Sequence, residues 1–529
     1  MLDNLRSTYF GNATAARDYR VQLRGSRSVW LFSLYLFILI GFAYTVYTSL
    51  ASPSVFSVVR AQSMLESFYI TVMALLGGMV SLIAPALTAT TIAQERQRQS
   101  FELLFSAPVT PKYYLVGKII SSYRYVWMLL ALSLPVTAAA VLLGGAAWSD
   151  VLIAYLLLSL QALIFTSIAL LMSTLAPKPV SAVIWTYAVL LAYLSALGST
   201  SGAALFSTGT RSAEQFFVFA MNPFTVTVAA ASYTTLLGVQ VPNWILATLA
   251  TLAIVRLVLL SAGTLLSFYG GKEGRALRLN GLAYVFALGL LGGMVGPGSG
   301  TSSFELGTAY GMALNWALVP LVAILPFMVC YGYDGERVHR PNGLFQPGRM
   351  LDGTPAGALP FLWATVLAGT LGLTLGFVLW FQFAPYYPSS SAYTNASLSQ
   401  MVSGLAPYAV FAFGFWALMW GFGRAASLSD NLRSARTLQF ALFLSFFLLP
   451  LPFLSAFGWQ QFSQKGFTVW DLWLLRPLTQ DLGHSWTQAM GYGALMLIAG
   501  WSLAVWSERR FARRIRQDLV EDERIQTAA

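Results

Sequence analysis

The sequence predicts an all-α polytopic membrane protein of about twelve transmembrane helices. They are arranged as two six-helix halves with a pseudo-two-fold relation, and both termini are cytoplasmic. Three observations predict this. Of the 529 residues, 57% are hydrophobic and only 10% charged, where a soluble domain carries about 25% charged residues. The apolar residues come in runs close to the ~20 residues that a helix needs to cross a bilayer. These runs recur along the whole chain, and the basic residues sit in the short segments between them.

Residues 1–28 read as a cytoplasmic interfacial helix, an elbow leading into the first span. Arg17, Arg20, Arg24 and Arg27 are spaced 3, 4 and 3 apart, which places them within an arc of about 80° on one helix. Such a basic stripe suits anionic lipid headgroups; an ordinary positive flank of the first span accounts for the same charges. The first apolar run, Val29 to Leu50, is longer than a signal-peptide core and reads as a retained span.

Spans are expected at roughly 29–50, 68–93, 119–143, 151–175, 180–200 and 244–268, a first half covering residues 29–268. Residues 269–280 form a cytoplasmic linker. A second, diverged half covers 281–507, with spans at roughly 281–299, 306–330, 360–383, 404–423, 437–458 and 488–507, and residues 508–529 form a cytoplasmic tail helix. All spans must be helices, because a segment facing lipid has to satisfy its own backbone hydrogen bonds.

The charges set the orientation. With the N-terminus inside, 25 of the 31 Lys and Arg residues fall in inside segments and 4 in outside segments, with Arg124 and Arg256 inside spans. That is a strong positive-inside signal. It also decides how residues 214–239 are read. If this apolar stretch crossed the membrane, the 15 inside charges after residue 268 would all move outside. Asn222-Pro223 divides it into what reads as a pair of short helices, dipping into the outer leaflet or covering the mouth of the bundle. The net charge of +11 is accounted for by this topology, and no nucleic-acid partner is implied.

The most informative stretch links the second and third spans. A charged cluster, with Glu95, Arg96 and Arg98, is followed by a short helix carrying Phe101, Leu104 and Phe105 at i, i+3, i+4 spacing. Pro108 and Pro111 stop it. A cytoplasmic helix with one apolar and one charged face can lie on the membrane or dock in a groove of a soluble partner.

The run ERQRQSFELLFSAPVT, followed by VGK, resembles the signature of the ABC type-2 permease family. That family has E-R-x-x-x-[ST]-x-E-L-L-x-[ST]-x-P-[VIL]-[ST], ending in x-G-K at the next span. Glu95, Arg96, Ser100, Glu102, Leu103, Leu104, Ser106, Pro108, Val109, Gly117 and Lys118 match. The resemblance covers roughly residues 10–270. It implies a coupling helix in which Glu95, Arg96, Arg98 and Glu102 face a cytoplasmic ATPase, while Phe101, Leu104 and Phe105 pack against it or against the elbow. It also implies the class: the permease subunit of an ATP-driven exporter, moving a lipid-like or amphipathic substrate outward across a bacterial inner membrane.

The ATPase is not expected in this chain. A P-loop needs G-x-x-x-x-G-K-[ST], and the Gly-Lys pairs at 117–118 and 271–272 are followed by Ile119 and Glu273. The implied partners are two separate ATPase subunits, which bind ATP and Mg; membrane lipids surround the spans, and no cofactor is expected in this chain.

The second half places Asp334, Glu336 and Arg337 where its coupling loop would lie, without an E-L-L run after them. One chain then supplies a whole permease; the competing reading pairs it with a second permease chain.

The remaining chemistry is sparse. Arg256 sits mid-way along the sixth span, where a charge costs ~2.5–3.5 kcal/mol or more, and is expected to face the bundle, bonded to a neighbouring helix or to an anionic substrate. One cysteine and two distant histidines suggest no metal site. No acidic residue lies at mid-span, which counts against proton or sodium coupling, and no cluster of carboxylates or histidines suggests an embedded transferase.

Overall fold

In a computed structural model of the chain, the described residues are 12–23, 26–50, 58–98, 111–142, 146–176, 178–207, 220–237, 239–266, 271–295, 347–351, 357–383, 398–426 and 486–528. They divide into two compact units, residues 1–235 with 239–266, and residues 236–238 with 267–529.

The first unit opens with a short helix, α1 (Ala13–Leu23), and continues with α2 (Ser26–Leu50), α3 (Val58–Ala89) and α4 (Thr91–Gln97). Then come α5 (Pro111–Leu142), α6 (Trp148–Leu175) and α7 (Pro179–Ser207). A five-residue helix, α8 (Val226–Ala230), leads into a two-stranded hairpin of β1 (Tyr233–Leu236) and β2 (Val239–Pro242), and α9 (Asn243–Leu266) closes the unit. The second unit contains α10 (Gly271–Val295), α11 (Ala358–Phe383), α12 (Leu398–Ala426) and α13 (Trp486–Ala528).

Among the described residues, eight helices are long and apolar enough to cross a bilayer: α2, α3, α5, α6, α9, α10, α11 and α13. Shorter apolar stretches lie in α7 (Pro179–Leu191) and α12 (Ala409–Ala425). This is a multi-pass, helical membrane protein. The spans expected at 306–330 and 437–458 lie outside the described residues.

At the centre of the first unit is α6, buried along most of its length and packed by α3, α5, α7, α8 and α9. Four of its buried hydroxyls need no partner on another helix. Ser159, Thr166, Ser167 and Thr174 donate to carbonyls three or four residues back on the same helix, the cheapest way to bury a hydroxyl in an apolar bundle.

Three expectations are corrected. The four-arginine stripe assumed one continuous helix. Arg17 and Arg20 are exposed on α1, but Arg27 belongs to the following helix, α2; Arg24 lies outside the described residues. Of the pair of short helices expected within 214–239, residues 214–219 lie outside the described residues, residues 220–221 form a 3-10 turn before Asn222-Pro223, and α8 follows it. The departure is after α8, where a hairpin takes the place of helix. The sequence YTTL and VQVP is rich in β-branched and aromatic residues that suit a strand, and Leu237 turns the chain with φ 48°. Asn243 then clamps the hairpin: its Nδ2 donates to Ser232 Oγ at 2.6 Å and its Oδ1 accepts from Thr234 Oγ1 at 2.5 Å. Third, Arg256 is exposed and lies off the packed face of α9 within the first unit. The buried stripe of α9 runs through Ile254, Leu257, Val258 and Ser261, and Arg256 stands two residues, about 200° around the helix, from Ile254.

In the second unit the neighbouring pairs are α10 with α11, α11 with α12, and α12 with α13. Glycine lets two of these pairs approach closely. A Cβ at Gly376 would stand 2.5 Å from the carbonyl oxygen of Leu290, and one at Gly414 would stand 2.0 Å from that of Gly493. Small residues at such crossings let helix backbones pack where no hydrophobic drive exists between helices in lipid. Arg278 of α10 is 2% exposed; its Nη1 donates to the Met350 carbonyl at 2.8 Å and its guanidinium lies over the Phe361 ring.

Candidate functional site

The residues that matter cluster at one end of the first unit, on both sides of residues 99–110. On the near side is α4. Its first amides lack a local cap, since Thr90 makes no side-chain bond to them. Ser173 of α6 supplies the cap instead: its Oγ accepts from Ile92 N at 3.0 Å and Ala93 N at 3.1 Å. In return Arg96 of α4 reaches the last carbonyls of α6, Thr174 at 3.1 Å and Ala176 at 3.4 Å. Each helix therefore satisfies orphan groups of the other, and the cation sits at the negative end of the α6 dipole. Ala93, Ala176 and Ala182 fill the space between these ends and α7.

On the far side is the start of α5. Lys118 is 5% exposed. Its Nζ lies 2.6 Å from Asp18 Oδ2 on α1 and 2.6 Å from Glu95 Oε1 on α4. The Tyr114 hydroxyl, one turn earlier on α5, donates to the other oxygen of Glu95. One ammonium thus joins α1, α4 and α5, using two of its three donors on carboxylates. Arg17, 3.8 Å from Asp18, offsets the second negative charge.

The elbow is seated by the same stretch of α5. Asn12 caps α1, its Oδ1 accepting from Thr14 N at 3.1 Å and Ala15 N at 3.2 Å, the usual way an asparagine satisfies a helix N-terminus. Its Nδ2 donates to the Tyr113 carbonyl at 3.0 Å, and Ala13 N donates to the Tyr113 hydroxyl at 3.0 Å. Gly117 makes this approach possible: a Cβ there would lie 2.0 Å from Thr14 Oγ1 and 2.7 Å from Asn12 Oδ1. Gly117 and Lys118 therefore have separate physical roles, one admitting the elbow and the other bonding it.

Of the residues singled out in the sequence, Glu95 and Arg96 are both engaged within the chain, and Arg98 is exposed at the C-cap of α4. Phe101, Glu102, Leu104, Phe105 and Pro108 lie outside the described residues, as do Asp334, Glu336 and Arg337. Asn12, Asp18, Tyr114 and Ser173 were missed. Asn12 carried a readable signal, an asparagine directly before a helix. The others carried none, because their partners are far away in sequence. Among the described residues, no group of three or more His, Cys, Asp or Glu side chains could hold a metal ion.

No family model matches the chain. No curated protein matches it either.

Proposed function

We propose that the chain is the membrane-spanning permease subunit of an ATP-driven ABC-type exporter. It moves a lipid-like or amphipathic substrate outward across a bacterial inner membrane, with cytoplasmic termini, and two separate ATPase subunits bind ATP and Mg. One observation carries the reading. Glu95 and Lys118, which stand before and after the stretch 99–110 that holds the resemblance to the coupling helix, meet in one buried centre with Asp18. Glu95 lies four residues before that stretch and Lys118 eight after it. A displacement of the stretch would pass through Glu95, Lys118 and Asp18 to α3, α5 and α1 together, and through Arg96 to α6. Glu95 and Arg96 serve this joint, and contact with the ATPase falls to Arg98, Phe101, Glu102, Leu104 and Phe105.

The neighbour relations of the described helices support a reading in two similar halves. In the expected numbering, the first span packs on the third, the third on the fourth and the fourth on the sixth (α2, α5, α6, α9). The seventh, ninth, tenth and twelfth (α10, α11, α12, α13) repeat that order. In this reading one chain supplies both halves.

The test is to purify the tagged chain from its native membrane in detergent and weigh the intact complex. One copy with two copies of a soluble ATPase supports the fused permease, and Glu102→Arg then weakens the association. Two copies of the chain per ATPase pair mean that each is half a permease. The absence of any ATPase overturns the exporter reading in favour of an ATP-independent membrane protein.

A further inference from the structure

We propose that Arg256 holds the phosphate-bearing headgroup of an anionic lipid on the lipid-facing surface of α9, within the bilayer. The inference needs only the membrane-embedded position of α9 and does not rest on a partner ATPase.

Arg256 is the fourteenth of the 24 residues of α9. At 1.5 Å per residue it lies about 20 Å along the axis from the N-terminal end of the helix and about 15 Å from the other. It is exposed, and among the described residues it has no hydrogen bond or ion pair. An arginine in that position is costly unless its charge is met, and intramembrane cations are found with partners for this reason. Escape by reaching for a headgroup layer is hindered by direction. Side chains on a helix tilt toward its N-terminus, which here is the more distant end.

The surroundings define the chemistry of the partner. Neither α9 nor the packed elements α5, α8 and β2 contain an acidic residue, and α6 has one, Asp150 in its first turn. The described elements packed on α9 therefore supply no counter-charge near the middle of the helix. On the same face as Arg256 lie Ile245, Leu249 and Leu252, 36%, 62% and 51% exposed, at i−11, i−7 and i−4. A fixed cation at the end of an exposed aliphatic stripe matches a molecule with an anionic head and an alkyl tail. Free phosphate has no use for the stripe. A second copy of this chain would bring no mid-span carboxylate from the described helices that pack around α9. A phospholipid supplies both parts, with its headgroup drawn below the level of its leaflet.

The experiment places a photo-crosslinking residue at Leu252, one turn from Arg256, in the full-length chain. The chain is reconstituted into vesicles of equal parts phosphatidylglycerol and phosphatidylcholine, and the adducts are identified by mass. Phosphatidylglycerol adducts are expected to exceed phosphatidylcholine adducts by about tenfold, the equilibrium equivalent of one charge-assisted hydrogen bond. Arg256→Leu should return the ratio to one, and Arg256→Lys should keep an enrichment. The melting temperature of Arg256→Leu in lipid-free detergent should equal or exceed that of the parent, because no internal bond is lost. An unchanged ratio in Arg256→Leu overturns the proposal. So does an adduct with another protein that disappears in Arg256→Leu, or loss of the enrichment on adding excess inorganic phosphate.

Discussion

Lys118 is the residue on which most of the first unit's polar structure converges. A buried ion pair adds little net stability, but removing one partner leaves the other charge stranded. Lys118→Met strands two carboxylates at once, and a loss of about 3–5 kcal/mol is expected, read as a lower melting temperature of the detergent-purified chain. Adding Glu95→Gln to that variant should recover part of the loss, since one stranded charge is then removed. A double variant no more stable than the single would show that Lys118 and Glu95 are not coupled. Gly117 next to it fails for a different reason. Gly117→Ala inserts a methyl group where Thr14 and Asn12 already sit. Its expected effect is local release of α1, seen as faster proteolysis or hydrogen exchange across residues 13–23, with α5 itself intact.

Among the helices, α4 shows how a short element depends on its surroundings. Seven residues are too few for a stable isolated helix, and α4 has no cap of its own. It is held by the exchange of bonds with the end of α6. Ser173→Ala removes the cap of α4 and should cost about 1 kcal/mol. Hydrogen exchange at Ile92 and Ala93 should rise, and exchange at the centre of α6 should stay slow. Uniform acceleration along α6 would instead mean that Ser173 supports α6 itself. The hairpin between α8 and α9 is the element least legible from sequence. Its apolar content and the Asn-Pro break suggested two helices, yet only the β-branched and aromatic character after residue 232 separates the outcomes.

For the molecule as a whole, the two units keep their helices together by different means. The first surrounds a buried central helix and fastens one end of it with ion pairs and reciprocal caps. Among the described residues of the second, two helix pairs meet at close glycine crossings. Gly414→Leu should therefore destabilise the full chain by 1–3 kcal/mol or more, the usual range for overpacking, measured as a shift in thermal unfolding. Arg278 and Arg424 anchor polar ends in this unit. Arg424 is 4% exposed and lies 3.9 Å from Glu508 and over the Trp420 ring.

The sequence by itself determined that this is a helical, multi-pass membrane protein, and where its described spans run. Those properties are local: an apolar run of bilayer length must bond its own backbone, so composition over some 20 residues is enough to find it. Only the tertiary structure decided what the charged residues do. Lys118 finds Asp18 100 residues away, and Arg96 finds the end of α6 78 and 80 residues away. Such partners leave no period or spacing in the sequence. The same limit explains Arg256. Its position in the span was readable, but which face of α9 is buried depends on how that helix packs against α6, a choice that an almost uniformly apolar helix does not encode.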